Sequence, residues 1–343
     1  MLRIDHESAR NTKGLPLKPA REAAPGTPPG DVEAVIETRG LTKRFGERVA
    51  VNNVDLSVPR ASAFGFVGPN GAGKTTLIRS ILGLTRLTSG TVQLLGYEMP
   101  KNHSLALARV GAVVEEPLFH LHLTGRENLE GIAAAREPEA HRRIEPALAR
   151  VGLADRADER VRAYSMGMRQ RLGVARCLLA DPLLLVLDEP MNGLDPAGIE
   201  EFREMMSGFV SEGRTVFLSS HLLDEVQKTC DHVAIIDQGD ILMQGLVEDI
   251  ARGGHPAVRI RCDSADAAEH LLIAHPAVEQ VRTTEGTLMV ELRTERGTET
   301  DKAVADMTRL LVEAGVSVFS IEAERVSLEE RFLEITSRLE VTG

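Results

Sequence analysis

Gly68, Gly73, Lys74 and Thr75 stand in the order G-x-x-x-x-G-K-[ST], with Pro69, Asn70, Gly71 and Ala72 between them, a spacing that describes a cradle for phosphate oxygens. The glycines let successive backbone N–H groups turn inward, and a helix opening near Lys74 points its positive dipole end at the same anion. Lys74 then reaches the β- and γ-phosphates of a nucleoside triphosphate, and the Thr75 hydroxyl ligates Mg²⁺. A second constellation, Asp188-Glu189, closes the apolar run Leu183 to Leu187. Carboxylates at the carboxyl end of a buried strand lie where an α/β sheet binds nucleotide, so Asp188 suits the metal and Glu189 suits the polarisation of an attacking water. The plain alternatives are a glycine-rich turn with a chance lysine and a strand that merely ends in a charged turn. Both weaken because strand, loop and helix arrive in the required order and because each motif supplies what the other lacks.

The elements that must hold these residues are legible from the apolar pattern. Ala61 to Val67 feeds the phosphate loop. Leu183 to Leu187, Thr215 to Ser219 and Val233 to Asp237 are short continuous apolar or β-branched runs, the form of parallel strands covered on both faces. They alternate with helical segments near Gly198 to Val210 and Leu222 to Thr229, which predicts a largely parallel sheet wrapped by helices. Val32 to Thr38 and Val49 to Val58 alternate like half-buried strands. From Leu105 to about Leu179 the pattern is mostly helical, with breaks at Glu115 to Pro117 and Glu137 to Pro138, and reads as a helical subdomain inserted into the α/β core.

Beyond Gly253-Gly254 the pattern resets. Strand Ala257 to Cys262, a helix capped by Ser264 and running to Ala274, strands Val278 to Thr283 and Leu288 to Leu292, helix Thr300 to Ala314 and strand Val316 to Ile321 give β-α-β-β-α-β, the ferredoxin-like order. Ser327 and Glu330 form a capping box for a last helix with Leu328, Phe332 and Ile335 on one stripe. The expected domains are a Pro/Gly-rich tail at 1–33, an α/β nucleotide-binding domain at 34–252 with its helical subdomain at about 105–179, and a small α+β accessory domain at 253–343.

The 343 residues carry a net charge of -11, which argues against a nucleic-acid or anionic-lipid partner, since either needs a basic face. From Arg252 to Gly343 there are 17 acidic and 11 basic residues, read as solvated acidic faces. Aromatic residues are 3% and tryptophan is absent, so a stacking platform for single strands is excluded. No apolar run reaches the roughly 18 to 20 residues of a membrane span, and the tail lacks the apolar core of a signal peptide. Cys177, Cys230 and Cys262 are widely spaced with no metal-ligand pattern, and reduced thiols are expected.

Further motifs carry a family resemblance. Tyr164-Ser165-Met166-Gly167-Met168-Arg169-Gln170-Arg171 precedes the Asp188-Glu189 strand, Asn192-Gly193-Leu194-Asp195 follows it, and His221 comes after Ser219-Ser220. In this order they resemble the signature motif, the following loop and the switch histidine of the ATP-binding subunits of ATP-binding cassette (ABC) transporters. The resemblance implies a P-loop fold, ATP and Mg²⁺ as ligands, and a dimer in which each ATP lies between one phosphate loop, Gly68 to Thr76, and the opposite signature motif. Ser165 and the Gly167 backbone would bind γ-phosphate in trans, Asp195 would relay between sites, and Glu189 with His221 would carry hydrolysis. Phe45, in Leu41-Thr42-Lys43-Arg44-Phe45-Gly46, falls where the family stacks an aromatic on adenine; packing in the core is the competing reading.

Two departures stand out. Met166 and Met168 replace a Gly and a Gln of the common Leu-Ser-Gly-Gly-Gln signature, and Glu115 stands where most members carry a Mg²⁺-sensing glutamine. Both, together with Leu123 to Leu129 and Ser327 to Leu333, resemble the bacitracin- and daunorubicin-type exporter ATPases. That branch implies integral membrane permease subunits, a second copy or a similar ATPase as partner, no nucleic acid, and a peripheral place on the cytoplasmic face of the membrane. A soluble ABC ATPase acting on ribosomes or DNA is the alternative, though such relatives usually carry two cassettes or a long coiled coil. A decayed regulator would lack the full set of Lys74, Asp188, Glu189 and His221, and importer subunits usually add small β-barrels.

Overall fold

A computed structural model of the chain describes residues 33–252, 257–284, 286–293, 298–323, 328–329 and 331–332. Residues 1–32 of the expected tail fall outside them, as do Ser327, Glu330 and Ile335 of the expected last helix. The chain divides into two units, Met1–Val247 and Glu248–Gly343.

The first unit opens with two long antiparallel strands, β1 (Ala34–Phe45) and β2 (Arg48–Pro59), joined by a tight turn at Gly46-Glu47. With β4 (Ser89–Leu94) and β5 (Tyr97–Met99) they form an antiparallel sheet in the order β2-β1-β4-β5. The second sheet contains β3 (Ala63–Val67), β6 (Val110–Val113), β7 (Leu184–Leu187), β8 (Thr215–Ser220), β9 (His232–Asp237) and β10 (Asp240–Leu246), in the order β10-β9-β3-β8-β7-β6. All its pairings are parallel except the β9–β10 edge. Every residue of β3, β7 and β8 is buried, which explains their continuous apolar runs. Parallel pairing places the carboxyl ends of β3, β7 and β8 side by side: Val67 lies opposite Ser220, and Leu187 opposite Leu218.

Helix α1 (Lys74–Ile81) follows β3 and buries Leu77, Ile78 and Ile81. They join Phe66, Phe217, Val186 and Ile236 of the parallel sheet and Ile36, Leu56 and Val92 of the antiparallel one in one apolar core. Burying a side chain of that size stabilises by roughly 1.5–3 kcal/mol, so this core fixes the phosphate loop between β3 and α1.

Helix α2 (His103–Leu107) precedes β6, and the helical region follows with α3 (Gly125–Ala133), α4 (Glu139–Arg142), α5 (Ile144–Arg150) and α6 (Met166–Leu178). The strand β6 is a correction to the helical reading of residues 105–179. Val110 to Val113 pairs in parallel with Leu184 to Leu187, so these residues belong to the sheet. A four-residue run between two helical patterns has no period long enough to declare itself. The unit continues through α7 (Pro196–Ser211), α8 (Leu223–Thr229) and β9–β10, and α9 (Val247–Arg252) begins at the division.

The second unit holds β11 (Ala257–Cys262), α10 (Ala265–Ile273), β12 (Val278–Thr284), β13 (Thr287–Leu292), α11 (Thr298–Glu313) and β14 (Val318–Ala323). Its sheet order β12-β13-β11-β14, antiparallel throughout, is the arrangement of a split β-α-β unit, as the sequence order predicts. Val258, Ile260, Leu288, Val290, Leu272, Met307 and Leu311 form its own core. Ser264 takes the N-cap position of α10 but its side chain makes no capping bond.

Candidate functional site

The site assembles at the carboxyl ends of the parallel strands. Gly73 caps α1 at φ 112°, in the left-handed region, and a Cβ there would stand 2.3 Å from the Ala50 carbonyl oxygen, so only glycine closes this turn. Lys74 is the first residue of α1 and is buried; its Nζ donates to the carbonyl oxygens of Gly68 (2.6 Å) and Pro69 (3.1 Å), folding the loop over its own ammonium.

The same Nζ stands 3.1 Å from Glu189 Oε1. That oxygen is buried and has no hydrogen-bond partner, so the contact is an ion pair without hydrogen-bond alignment. The second carboxylate oxygen, Oε2, lies 2.9 Å from His221 Nδ1. One carboxylate thus sits between an ammonium and an imidazole, in reach of a proton acceptor's task. Glu189 adopts φ 47°, a left-handed conformation that turns its side chain off the end of β7 toward the phosphate loop.

Ser219 holds this corner. Its hydroxyl donates to Asp188 Oδ1 at 2.5 Å and accepts from the Glu189 backbone N–H at 2.9 Å, while the Asp188 N–H donates to the Val113 carbonyl oxygen at 2.8 Å. Sequence reasoning passed over Ser219. A hydroxyl at the end of an otherwise apolar strand, next to a strand ending in two acids, is the signal that marks it.

A cavity of about 360 Å³ opens over the loop, lined by Phe45, Arg48, Ala50, Asn70, Gly71, Gly73, Lys74, Thr75, Thr76 and Glu189. Phe45 is 54% exposed, which decides against the core-packing alternative. Arg48 also escaped the sequence reading; it is the cross-strand partner of Phe45 and lies with it on the cavity wall. The lining of cations, hydroxyls and loop backbone suits an anionic polyphosphate, and Phe45 offers a flat apolar ring at its rim. Thr75 and the buried Asp188 supply the hard oxygen ligands that Mg²⁺ takes. Among the described residues no cluster of three or more His, Cys, Asp or Glu forms a metal cage, so such an ion would be held by one or two protein oxygens together with phosphate.

Ser165, Gly167 and Asp195 do not line this cavity. Ser165 caps α6, its hydroxyl accepting from the Met168 N–H at 3.2 Å, and Asp195 caps α7, accepting from the Gly198 N–H at 2.9 Å. The two caps pack together. Gly193 has φ 73°, and a Cβ on it would stand 2.2 Å from Met166 Sδ, while a Cβ on Gly167 would stand 3.3 Å from Leu194 Cδ2. Glu115 also lies off the cavity wall; its carboxylate pairs with Arg79 of α1 at 2.5 Å. The cysteines take no part: burial pushes the Cys177 thiol up to about 11 and raises that of Cys230 as well.

Comparison with known proteins fits this geometry. The sequence family described as ABC transporter matches residues 51–192. The uncharacterized ABC transporter ATP-binding protein YdbJ of Bacillus subtilis is 36% identical over 312 residues, spanning 91% of this chain and 98% of the relative. This chain belongs to the ABC transporter ATP-binding proteins. The bacitracin transport ATP-binding protein BcrA of Bacillus licheniformis is 34% identical over 307 residues, 89% of this chain and 98% of its own. A solved ATP-binding subunit of an ABC transporter superposes with a TM-score of 0.57 at 29% identity, covering 64% of this chain and 92% of that one. The chain is therefore an ATP-binding subunit of a transporter with the ATPase fold of its family, and no helix among the described residues is long and apolar enough to cross a membrane.

Proposed function

We propose that this chain hydrolyses ATP to drive export through separate integral membrane subunits, as one half of a pair of ATPase subunits on the cytoplasmic face. The observation that carries this reading is the Lys74–Glu189–His221 chain of contacts, whose first two members line the cavity. Gly68 to Thr76 would hold the polyphosphate, Phe45 the base, and Thr75 with Asp188 the Mg²⁺. Bound Mg²⁺ supplies positive charge against the phosphate oxygens. Lys74 would leave Glu189 for phosphate, and Glu189 would then accept the proton of the attacking water while His221 fixes its carboxylate. Glu115 would join the metal only after parting from Arg79.

Ser165, Gly167 and Asp195 sit apart from the cavity, which supports a composite site completed by a second subunit, homologous or identical. A ligand shifts such a pair only by binding the closed state better than the open one, and an ATP clasped between two subunits does so. The docking face for the membrane subunit is the segment Leu118 to Leu129. Leu118 is 87% exposed and Leu121 52%. A capping box between Thr124 and Glu127, and Asn128 bonds to the His120 backbone, hold the segment in shape. Similarity to a bacitracin transport protein over nearly its full length supports export of a drug or antibiotic, and favours transport over the ribosome or DNA alternative.

Glu189→Gln tests the reading. The variant should bind ATP as the natural chain does, lose steady-state hydrolysis, and elute as an ATP-dependent dimer in gel filtration. Unchanged hydrolysis would sink the role given to Glu189, and copurification with ribosomes in place of an integral membrane protein would sink the export reading.

A further inference from the structure

Phe45 is not a loose exposed ring. Lys43, two residues earlier on the same face of β1, places its ammonium 4.5 Å from the ring centroid. That ammonium is itself anchored, donating to the Arg86 carbonyl oxygen at 2.9 Å. The loop after α1 grips this end of β1 twice more: the Thr88 N–H donates to the Thr42 carbonyl oxygen at 2.9 Å, and Thr88 Oγ1 accepts from the Arg44 N–H at 2.9 Å. The register of β1 against β2 slips on both sides of Lys43, a strand irregularity of the kind that re-aims side chains.

From this geometry we infer that Lys43 is a positioning residue for the nucleotide base. Its ammonium covers one face of the Phe45 ring and holds the ring at the cavity rim, leaving the other face for a flat, neutral heterocycle. The ring is attracted to the cation through its quadrupole, and the Arg86 carbonyl fixes where that cation sits. A ring held before the ligand arrives loses less rotamer freedom on stacking, so the base binds more tightly with no contact of its own to Lys43. The effect is confined to the base, because Lys43 does not line the cavity over the phosphate loop.

The inference rests on the nucleotide reading of the cavity, and calorimetric titration separates the two. The full chain and its Lys43→Met, Lys43→Arg, Phe45→Leu and Lys43→Met/Phe45→Leu variants are titrated with ATP and with inorganic tripolyphosphate, both in chelator. A cation–π contact at an exposed site corresponds to a factor of about two to five in affinity. Lys43→Met should weaken ATP by that factor and leave tripolyphosphate unchanged. Lys43→Arg should restore ATP binding, and Lys43→Met should have no further effect in the Phe45→Leu background. An equal loss for tripolyphosphate would overturn the inference and make Lys43 a distant phosphate charge. The same loss in the Phe45→Leu background would also overturn it. If Phe45→Leu itself leaves ATP affinity unchanged, the base-stacking role falls together with the inference. If the natural chain takes up neither ligand, the nucleotide reading fails.

Discussion

Removing the Ser219 hydroxyl should damage both stability and turnover, because one oxygen serves two successive residues. Ser219 is fully buried, so no water replaces the lost group in Ser219→Ala. The variant strips Asp188 Oδ1 of a 2.5 Å bond and leaves the Glu189 N–H, held at 2.9 Å in the natural chain, without its acceptor. A hydrogen bond to a charged group contributes about 1.5–3 kcal/mol and a neutral one about 0.5–1.5 kcal/mol, so the combined cost is about 2–4.5 kcal/mol. The second consequence is positional. Glu189 keeps its left-handed turn partly through that N–H bond, and misplacing a reacting group by about 1 Å costs on the order of a hundredfold in rate. Urea unfolding and steady-state ATP hydrolysis measure the two effects on one preparation. Ser211→Ala is the control, since the Ser211 hydroxyl bonds the Gly208 carbonyl oxygen at an exposed helix end and its loss should cost little. A Ser219→Ala protein as stable and as active as the natural chain would refute the account of this corner.

Two further outcomes follow from the same geometry. Gly73→Ala should abolish ATP binding measured by calorimetry, because its Cβ would meet the Ala50 carbonyl oxygen at 2.3 Å and force the phosphate loop open; retained affinity would show that the loop relaxes around the methyl. His232, whose ring stacks on Phe64 with centroids 6.3 Å apart, has its pKa lowered by burial despite the opposing pull of Asp231. The unfolded chain therefore takes up this proton first, and stability should fall as the pH drops below the ordinary histidine value of about 6.5. His232→Phe should flatten that part of a pH–urea profile, and an unchanged slope would exonerate His232.

The phosphate loop and the acidic strand end were readable because each is contiguous and each borders an apolar run whose length fixes its element. The second unit was readable because β11 and β13 alternate and α10 and α11 keep a helical period. Strand β14 lies two residues later than the apolar run predicts, since Val316 packs in the core ahead of the ladder that begins at Val318. Strand β6 was hidden because its four residues acquire meaning only when paired with β7. Strands β4, β5 and β10 escaped for a similar reason; they are short or half-exposed and their pairing is antiparallel. Contacts between distant residues were beyond the sequence. Nothing near Lys74 announces Glu189 as its partner, and nothing near Glu115 announces Arg79. Ser165 and Asp195 are expected as ligand and relay of a nucleotide held between two subunits, yet the hydroxyl of the one and the carboxylate of the other each cap their own helix, an engagement visible only in the structure.

The left-handed turn at Glu189 has an implication for how this protein would respond to selection. A side chain at positive φ costs roughly 1–2 kcal/mol that glycine avoids and asparagine reduces. Strain of this kind persists where function demands it. Position 189 is therefore one where heat resistance and turnover favour different residues. A library of position-189 variants screened only for surviving structure should enrich Glu189→Gly and Glu189→Asn, and the most durable survivors should be those that no longer spend ATP.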